Sequence, residues 1–157
     1  MFAIGDKILY PMHGAGVIRE IEERDILGEN RRYYVLHMPF GDMRVMIPVD
    51  NSEGIGVRPI ISEEDIEEVF FVLRAETSKM SGSWNRRQRE NMEKLRTGDV
   101  LQVAEVVRNL LRTERSKSLS AGEKKLLHNA RQILESELTL ASGMDPQKID
   151  HLVEEAV

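Results

Sequence analysis

The stretch SEEDIEEVFFVL, residues 62–73, marks the point where the sequence pattern changes from strand to helix. Ser62 followed by three acids is a typical helix start, because a serine side chain and negative charges stabilise the free amide groups of a first turn. Apolar residues then recur at three- and four-residue spacing and form one stripe: Ile66, Val69, Phe70 and Leu73. The chain therefore enters a helical region at Ser62.

Short strand-like runs separated by turn signals fill the sequence before this helix: KILYP (7–11), GVIREIE (16–22), RRYYVLHM (31–38) and MRVMIPV (43–49). Four or five short strands in about 60 residues can cover both of their faces only by curling into a small barrel. In RRYYVLHM the alternation predicts two apolar faces, Tyr33, Val35 and His37 on one and Tyr34, Leu36 and Met38 on the other. We expect one face in a core and the other free to face a partner.

Three further patterns predict helix boundaries downstream. TGD (97–99) ends one helix at Gly98 and starts the next at Asp99. SAGE (120–123) is a capping-box pattern, and DP (145–146) places proline at a first helical position. Apolar stripes follow these starts: Val100, Val103, Ala104, Val107, Leu110 and Leu111; Leu126, Leu127, Ala130, Ile133, Leu134 and Leu138; Ile149, Leu152, Val153 and Ala156.

The helix that starts near residue 84 differs from the others, because WNRRQRENMEKLR is apolar only at Trp84, Met92 and Leu95. Its pattern predicts little burial in the first two turns, so its C-terminal end must hold it. Taken together, the patterns predict an α+β fold: a small β-barrel over residues 1–60, followed by an all-α domain of about five helices over residues 61–157.

Composition excludes several classes of site. The 157 residues include no cysteine, so disulfides and thiolate metal sites are excluded, which suits the reducing cytoplasm. The four histidines, His13, His37, His128 and His151, lack metal-ligand spacing. The sequence also lacks a long apolar run, a secretory signal, a phosphate-binding loop and a nucleophile elbow. We expect a cytoplasmic protein with no cofactor, no metal and no enzymatic activity.

Charge is divided unevenly along the chain, whose net charge is −5. Residues 1–73 carry a net −7, residues 74–131 a net +7 and residues 132–157 a net −5. The total argues against nucleic-acid binding, whereas the basic middle favours it. A solvated helix face would also explain that basic middle.

The single tryptophan lies in this basic middle, in SGSWNRRQREN (81–91). Packing against its own helix or at a seam between domains is the default for a lone tryptophan. However, Trp84 follows a Ser/Gly linker and precedes several arginines, and such a composition is typical of an aromatic side chain that contacts bases while cations contact phosphates. Lys124 and Lys125, near the start of a later helix, could add phosphate contacts, although solubility alone would explain them.

Seven motifs in order along the chain resemble the CarD/CdnL family of bacterial transcription regulators: GDKILYPMHGAGVI (5–18), RYYVL (32–36), GDMRVMIPV (41–49), GVRPII (56–61), WNRR (84–87), KLRTGDVLQVAEVVRNL (94–110) and LSAGEKKLLHNARQIL (119–134). The resemblance implies a Tudor-like N-terminal domain that binds the lobe of the RNA polymerase β subunit. It also implies a helical C-terminal domain that contacts promoter DNA at the upstream edge of the bubble. The implied outcome is a stabilised open complex.

The resemblance also implies roles for single residues. Trp84 corresponds to the minor-groove wedge, Arg86 and Arg87 to the basic residues after it, and Lys124, with Lys125 beside it, to a phosphate-contacting lysine. Residues implied to face the polymerase are Arg24, Arg44 and Met46, the last replacing an arginine found in some relatives. We expect a monomer that binds DNA weakly by itself. The alternatives are a free-standing DNA-binding protein that acts without polymerase, and a structural module in which Trp84 fills a domain seam.

Overall fold

The computed structural model describes all 157 residues and begins with a five-stranded antiparallel sheet. Its strands are β1 (Lys7–Tyr10), β2 (Gly14–Ile26), β3 (Glu29–His37), β4 (Arg44–Pro48) and β5 (Arg58–Pro59). The strand order is β4-β3-β2-β1-β5, so β4 and β5 form the two edges. This small antiparallel unit confirms the predicted Tudor-like N-terminal fold.

One face of the sheet forms a compact core, as the alternation in RRYYVLHM predicts. Ile18, Tyr34, Leu36 and Ile47 are completely buried on this inner face. On the opposite, outer face, Tyr33 and His37 remain partly exposed. A β-bulge at Arg19 interrupts the pairing of β2 with β3 and shifts the register between Ile18 and Glu20.

Five helices follow, preceded by a 3₁₀ turn at Glu63–Asp65: α1 (Ile66–Arg74), α2 (Trp84–Arg96), α3 (Val100–Ser116), α4 (Ala121–Ser142) and α5 (Pro146–Ala156). The last strand thus ends at Pro59, and the first helical turn begins at Glu63. The predicted number of helices is confirmed. No helix has both the length and the apolar composition that crossing a membrane requires.

The predicted helix starts are confirmed by their side-chain contacts. The carboxylate of Asp99 accepts a hydrogen bond from the amide of Leu101, and Asp145 accepts one from Gln147. Gly98, between α2 and α3, has a φ of +71°, a conformation that glycine adopts without strain. The Asp65 carboxylate accepts from both the amide and the hydroxyl of Ser62, which fixes the turn that precedes α1.

The helices share one large apolar core, and the sheet contributes to it. Leu9 and Ala15, from β1 and β2, belong to the same buried cluster as the stripes of α1, α3, α4 and α5. A buried hydrogen bond joins the two parts, because the amide of Ala15 donates to the hydroxyl of Ser136 on α4 over 2.8 Å. The sheet therefore packs directly against α4 through β2.

Candidate DNA and partner interfaces

Trp84 is the first residue of α2, where the hydroxyl of Ser83 accepts from the amide of Arg86. The side chain points toward the start of α4, and its indole Nε1 donates to the hydroxyl of Ser120 over 2.9 Å. Even so, 44% of Trp84 remains exposed. The ring is thus held by its polar edge while much of its surface stays in solvent.

The first turn of α4 is shaped to receive this ring. Gly122 lies beneath it: a Cβ at this position would approach Cζ2 of Trp84 to 3.2 Å. The side-chain amide of Gln88 donates to the carbonyl of Gly122 over 3.4 Å and joins the two helices one turn further along α2. Both partners of the indole, Ser120 and Gly122, lie at the start of α4, so the ring packs between two helices rather than against the sheet.

Exposed cationic side chains follow Trp84 on α2 and Ser120 on α4. Arg86 is on the first turn of α2, and its guanidinium contacts the carboxylate of Glu90 at 3.1 Å while its side chain stays 70% exposed. Lys124 and Lys125 lie within the first two turns of α4, are exposed and form no salt bridge within the chain. Because the indole of Trp84 donates to Ser120, the fold joins the starts of α2 and α4, which carry these cations and lie about 40 residues apart in sequence. We call Trp84, Arg86, Lys124 and Lys125 the tryptophan surface.

Arg87 belongs to the interior of this region. Its guanidinium donates to the carbonyls of Ser81 and Gly82, each over 3.1 Å, and approaches the carboxylate of Glu123 to 3.6 Å. These contacts connect the linker before α2 to the first turn of α4. Arg87 thereby braces the segment that holds Trp84, and its positive charge is already partly balanced.

The three residues implied to face a protein partner share the outer face of the sheet. In the register of the sheet, Met46 of β4 lies opposite Val35 of β3, and Arg44 lies opposite His37. On the other side of β3, Arg24 of β2 lies opposite Arg31, which is on the same face as Val35. Arg24, Arg44 and Met46 therefore project from one surface.

This outer face has an apolar strip with charged margins. Tyr33, Met46 and Pro48 are half-buried along the strip, and Arg24, 56% exposed, contacts Glu22 at 3.2 Å at its margin. The strip ends at edge strand β4, whose outward backbone groups have no partner strand. We call Arg24, Tyr33, Arg44, Met46 and Pro48 the outer sheet surface. Its composition suits a protein partner that adds backbone hydrogen bonds and apolar contacts.

Comparison with known proteins covers both halves of this arrangement. Residues 2–61 match the family described as CarD-like/TRCF RID domain, and residues 68–154 match the family described as CarD, C-terminal domain. A Bacillus subtilis (strain 168) protein named "Putative transcription factor YdeB" is 40% identical over 149 residues, which cover 95% of this chain and 97% of the relative.

The chain belongs to the CarD/CdnL family. It is therefore a bacterial-type transcription regulator, and this is a family of transcription factors rather than a class of enzymes. No group of three or more histidine, aspartate or glutamate side chains is arranged to hold a metal ion. In this CarD-family chain the exposed tryptophan and the outer sheet surface are the features with recognisable binding chemistry.

The sequence patterns do not identify the role of Ser120 in supporting the tryptophan surface. They identify Ser120 only as a helix cap, a role that it does fill, since its hydroxyl accepts from the amide of Glu123. The same hydroxyl donates to the Glu123 carboxylate over 3.1 Å and accepts from Trp84. No sequence signal marks this second role, because it depends on how α2 crosses α4.

Proposed function

We propose that this CarD-family regulator bridges RNA polymerase and promoter DNA and thereby stabilises the open complex. Residues 1–60 would bind the lobe of the polymerase β subunit through the outer sheet surface. Residues 61–157 would place Trp84 in the minor groove at the upstream edge of the bubble. One chain carries both surfaces, so a monomer is sufficient for the bridge.

The observation that carries the proposal is the state of Trp84, anchored through its indole Nε1 and still 44% exposed. A wedge that unstacks a base step costs a few kcal/mol, and a junction that is already melted lowers this cost. The ring then binds the melted state more tightly than the closed duplex. A ligand shifts an equilibrium by its differential affinity for the two states, so open DNA becomes the favoured state.

The cations of the tryptophan surface support positioning rather than sequence readout. Lysine and arginine contacts to phosphates fix the orientation of a protein on DNA but carry no base information. Because the chain has a net charge of −5, few such contacts can form and binding to free duplex should be weak. Attachment to polymerase then supplies the effective concentration at promoters.

Substitution of Trp84 by alanine tests the proposal. We expect Trp84→Ala to keep the helical circular dichroism signal, since the ring is half in solvent and α2 retains its Ser83 cap. The open-complex lifetime with the matching polymerase should fall by roughly fivefold or more, because stacking of an aromatic side chain on a base contributes about 1–3 kcal/mol. The lifetime is measured by challenge with a competitor on a slowly melting promoter.

Phe71→Ala provides the matched control, because Phe71 is an aromatic residue of α1 that is 70% exposed and lies outside both proposed surfaces. It should leave the lifetime unchanged. An unchanged lifetime for Trp84→Ala, or loss of the helical fold in that variant, would contradict the wedge. Tight, strongly salt-dependent binding to duplex without polymerase would instead favour a free-standing DNA-binding protein.

A further inference from the structure

Arg58 connects the edge of the sheet to the helices. It lies on β5, the short edge strand that pairs with β1, and its side chain is 30% exposed. Its guanidinium forms two parallel hydrogen bonds to the carboxylate of Glu137 on α4, at 2.7 Å and 2.9 Å. Parallel bonds between a planar guanidinium and a carboxylate fix direction as well as distance.

Glu137 is an unusual residue for its position. Its side chain is only 1% exposed and lies within the part of α4 that carries Leu134 and Leu138. A buried carboxylate is unfavourable unless it is paired and hydrogen-bonded. Arg58 supplies the pair, and the amide of Ile61, in the segment that leads to α1, donates a further bond over 2.9 Å.

The same guanidinium also reaches the end of α2. Nε and Nη2 of Arg58 donate to the carbonyl of Gly98, at 3.0 Å and 2.7 Å. Gly98 follows the last turn of α2, whose first residue is Trp84. Arg58 therefore joins the sheet, α4 and the helix that carries the proposed wedge.

We propose that Arg58 is a positioning residue that sets the angle between the outer sheet surface and Trp84. This inference rests on the proposed function. The apolar contacts of Leu9 and Ala15 hold the sheet on the helices but are not directional. The hydrogen bond from Ala15 to Ser136 fixes one point on α4, and the hydrogen bonds of Arg58 fix a second point and also reach the end of α2.

Because Trp84 and Gly98 lie at opposite ends of α2, a small change in the direction of this helix moves Trp84 by a large distance. A helix of 13 residues is about 20 Å long, so a tilt of about 10° at Gly98 would displace Trp84 by about 3 Å. Binding groups function when they are held within about half an ångström of their working position. A fixed angle also lowers the ordering cost when polymerase and DNA are bound together.

Distances between spin labels test the angle directly. The chain contains no cysteine, so labels at Lys7→Cys on β1 and Arg89→Cys on α2, both exposed positions, are the only ones attached. We expect one narrow distance distribution for the otherwise native chain and a clearly broader one for Arg58→Ala. Arg58→Lys should be intermediate, because an ammonium group keeps the charge but cannot bind Glu137 and Gly98 as the planar guanidinium does.

Arg131→Ala is the matched control. Arg131 also binds several carboxylates and is 21% exposed, but Glu135, Asp150 and Glu154 all belong to α4 and α5. Its loss should leave the distance distribution narrow. If Arg58→Ala does not fold, Glu137→Gln replaces it, since the amide keeps the size of the side chain while removing the charge that Arg58 binds.

Open-complex lifetime and binding to the polymerase β lobe are measured on the same variants. Arg58→Ala should keep the native affinity for the lobe, because Arg58 lies outside the outer sheet surface, and should shorten the open-complex lifetime at least threefold. A native distance distribution in Arg58→Ala would overturn the inference, as would a broad distribution with a native lifetime. If the native chain itself fails to lengthen the lifetime, the proposed function fails, and the distances still decide whether Arg58 fixes the angle.

Discussion

At the scale of single residues, Ser120 has the most concentrated set of contacts around the proposed wedge. Its hydroxyl caps α4 through the amide of Glu123 and holds the indole of Trp84 through a 2.9 Å hydrogen bond. One oxygen therefore couples the stability of a helix end to the placement of the ring. The two roles can be separated experimentally, because other helices of the chain have caps that touch no aromatic ring.

Removing this hydroxyl should release the indole. Ser120→Ala is expected to destabilise the fold by about 1 kcal/mol, since it removes an N-cap. In addition, the emission of Trp84 should shift to the red and become easier to quench with acrylamide, because the indole loses its anchor. Urea unfolding and fluorescence quenching measure the two effects.

Asp145→Ala separates the cap from the anchor. Asp145 caps α5 through the amide of Gln147 and has no contact with Trp84, so its loss should cost similar stability without changing the fluorescence. Ser120→Thr retains a hydroxyl and should resemble the native chain in both measurements. Native quenching in Ser120→Ala would mean that the hydrogen bond does not hold the ring.

The sequence predicts the chemistry of this site better than its geometry. The position of Trp84 after a Ser/Gly linker and beside arginines favours exposure, and Trp84 is 44% exposed. The different environments of Arg86 and Arg87 cannot be predicted from the sequence: Arg86 stays in solvent, whereas Arg87 donates to Ser81 and Gly82. That distinction depends on the path of the linker around α4, and no local pattern encodes the path.

At the scale of elements, a single bulge decides which face of β2 carries Arg24. Without it, the period of two would place Ile18 and Glu20 on the same face, and Arg24 with them. The extra residue at Arg19 reverses this, so Ile18 stays in the core while Glu20 and Arg24 reach the outer face. Alternation alone predicts the faces of β3 but cannot locate a bulge, which is why the sequence does not predict the shared face of Arg24 and Met46.

Charge reversal on this face should weaken polymerase binding. Arg24→Glu is expected to lower affinity for an isolated polymerase β lobe by about tenfold, mainly through slower association, as is usual for a charge at the margin of an interface. Calorimetry or interferometry at two salt concentrations would measure this. Arg74→Glu is the control, since Arg74 is exposed on α1 and lies outside the outer sheet surface. The affinity of this control variant for the β lobe should equal that of the native chain. Equal losses of affinity in both variants would show that Arg24 is not part of the interface.

We expect the packing of α4 against α5 to depend on pH. Arg131 binds Glu135, Asp150 and Glu154, and these side chains line an open cleft of about 700 Å³ together with His128. Burial, and next the neighbouring carboxyl of Asp150, raise the pKa of Glu135 from its ordinary value of 4.5 to about 7, against the opposing effect of Arg131. Between about pH 4.5 and pH 7, Glu135 therefore keeps its proton in the folded chain, whereas it has released it in the unfolded chain.

Glu135→Gln should remove this pH dependence. The contribution of Glu135 to stability is complete below about pH 4.5 and is lost as the pH rises through about 7, because its pKa is raised on folding. The variant, neutral at every pH, should match the native chain near pH 4 and exceed it near pH 8 by at most about 3 kcal/mol. Urea unfolding at both pH values provides the measurement. In the control Glu114→Gln, which changes an exposed site, the free energy of unfolding should vary with pH as it does in the native chain. If Glu135→Gln also shows the native pH dependence, the raised pKa of Glu135 is contradicted.

At the scale of the whole molecule, the sheet and the helices depend on one another. The apolar stripes of the helices predict a helical core, but two sheet residues, Leu9 and Ala15, complete it. A sequence pattern identifies which residues are buried and not which element covers them, so this shared core appears only in three dimensions. Gly14 lies close against α4, since a Cβ there would lie 2.9 Å from the hydroxyl of Ser136.

The shared core predicts that the chain unfolds in one cooperative step. All three tyrosines lie in the sheet and the single tryptophan lies in α2, so tyrosine derivative absorbance and tryptophan fluorescence report the two parts separately. In urea the two transitions should coincide for the native chain.

Gly14→Ala should separate the two transitions, because the added methyl carbon would collide with Ser136 and because the φ of +116° at this position disfavours alanine. Gly143→Ala has a φ of +73° with nothing within 4 Å, so it should lower stability and keep the transitions together. Separate transitions in the native chain would show that the sheet and the helices fold independently.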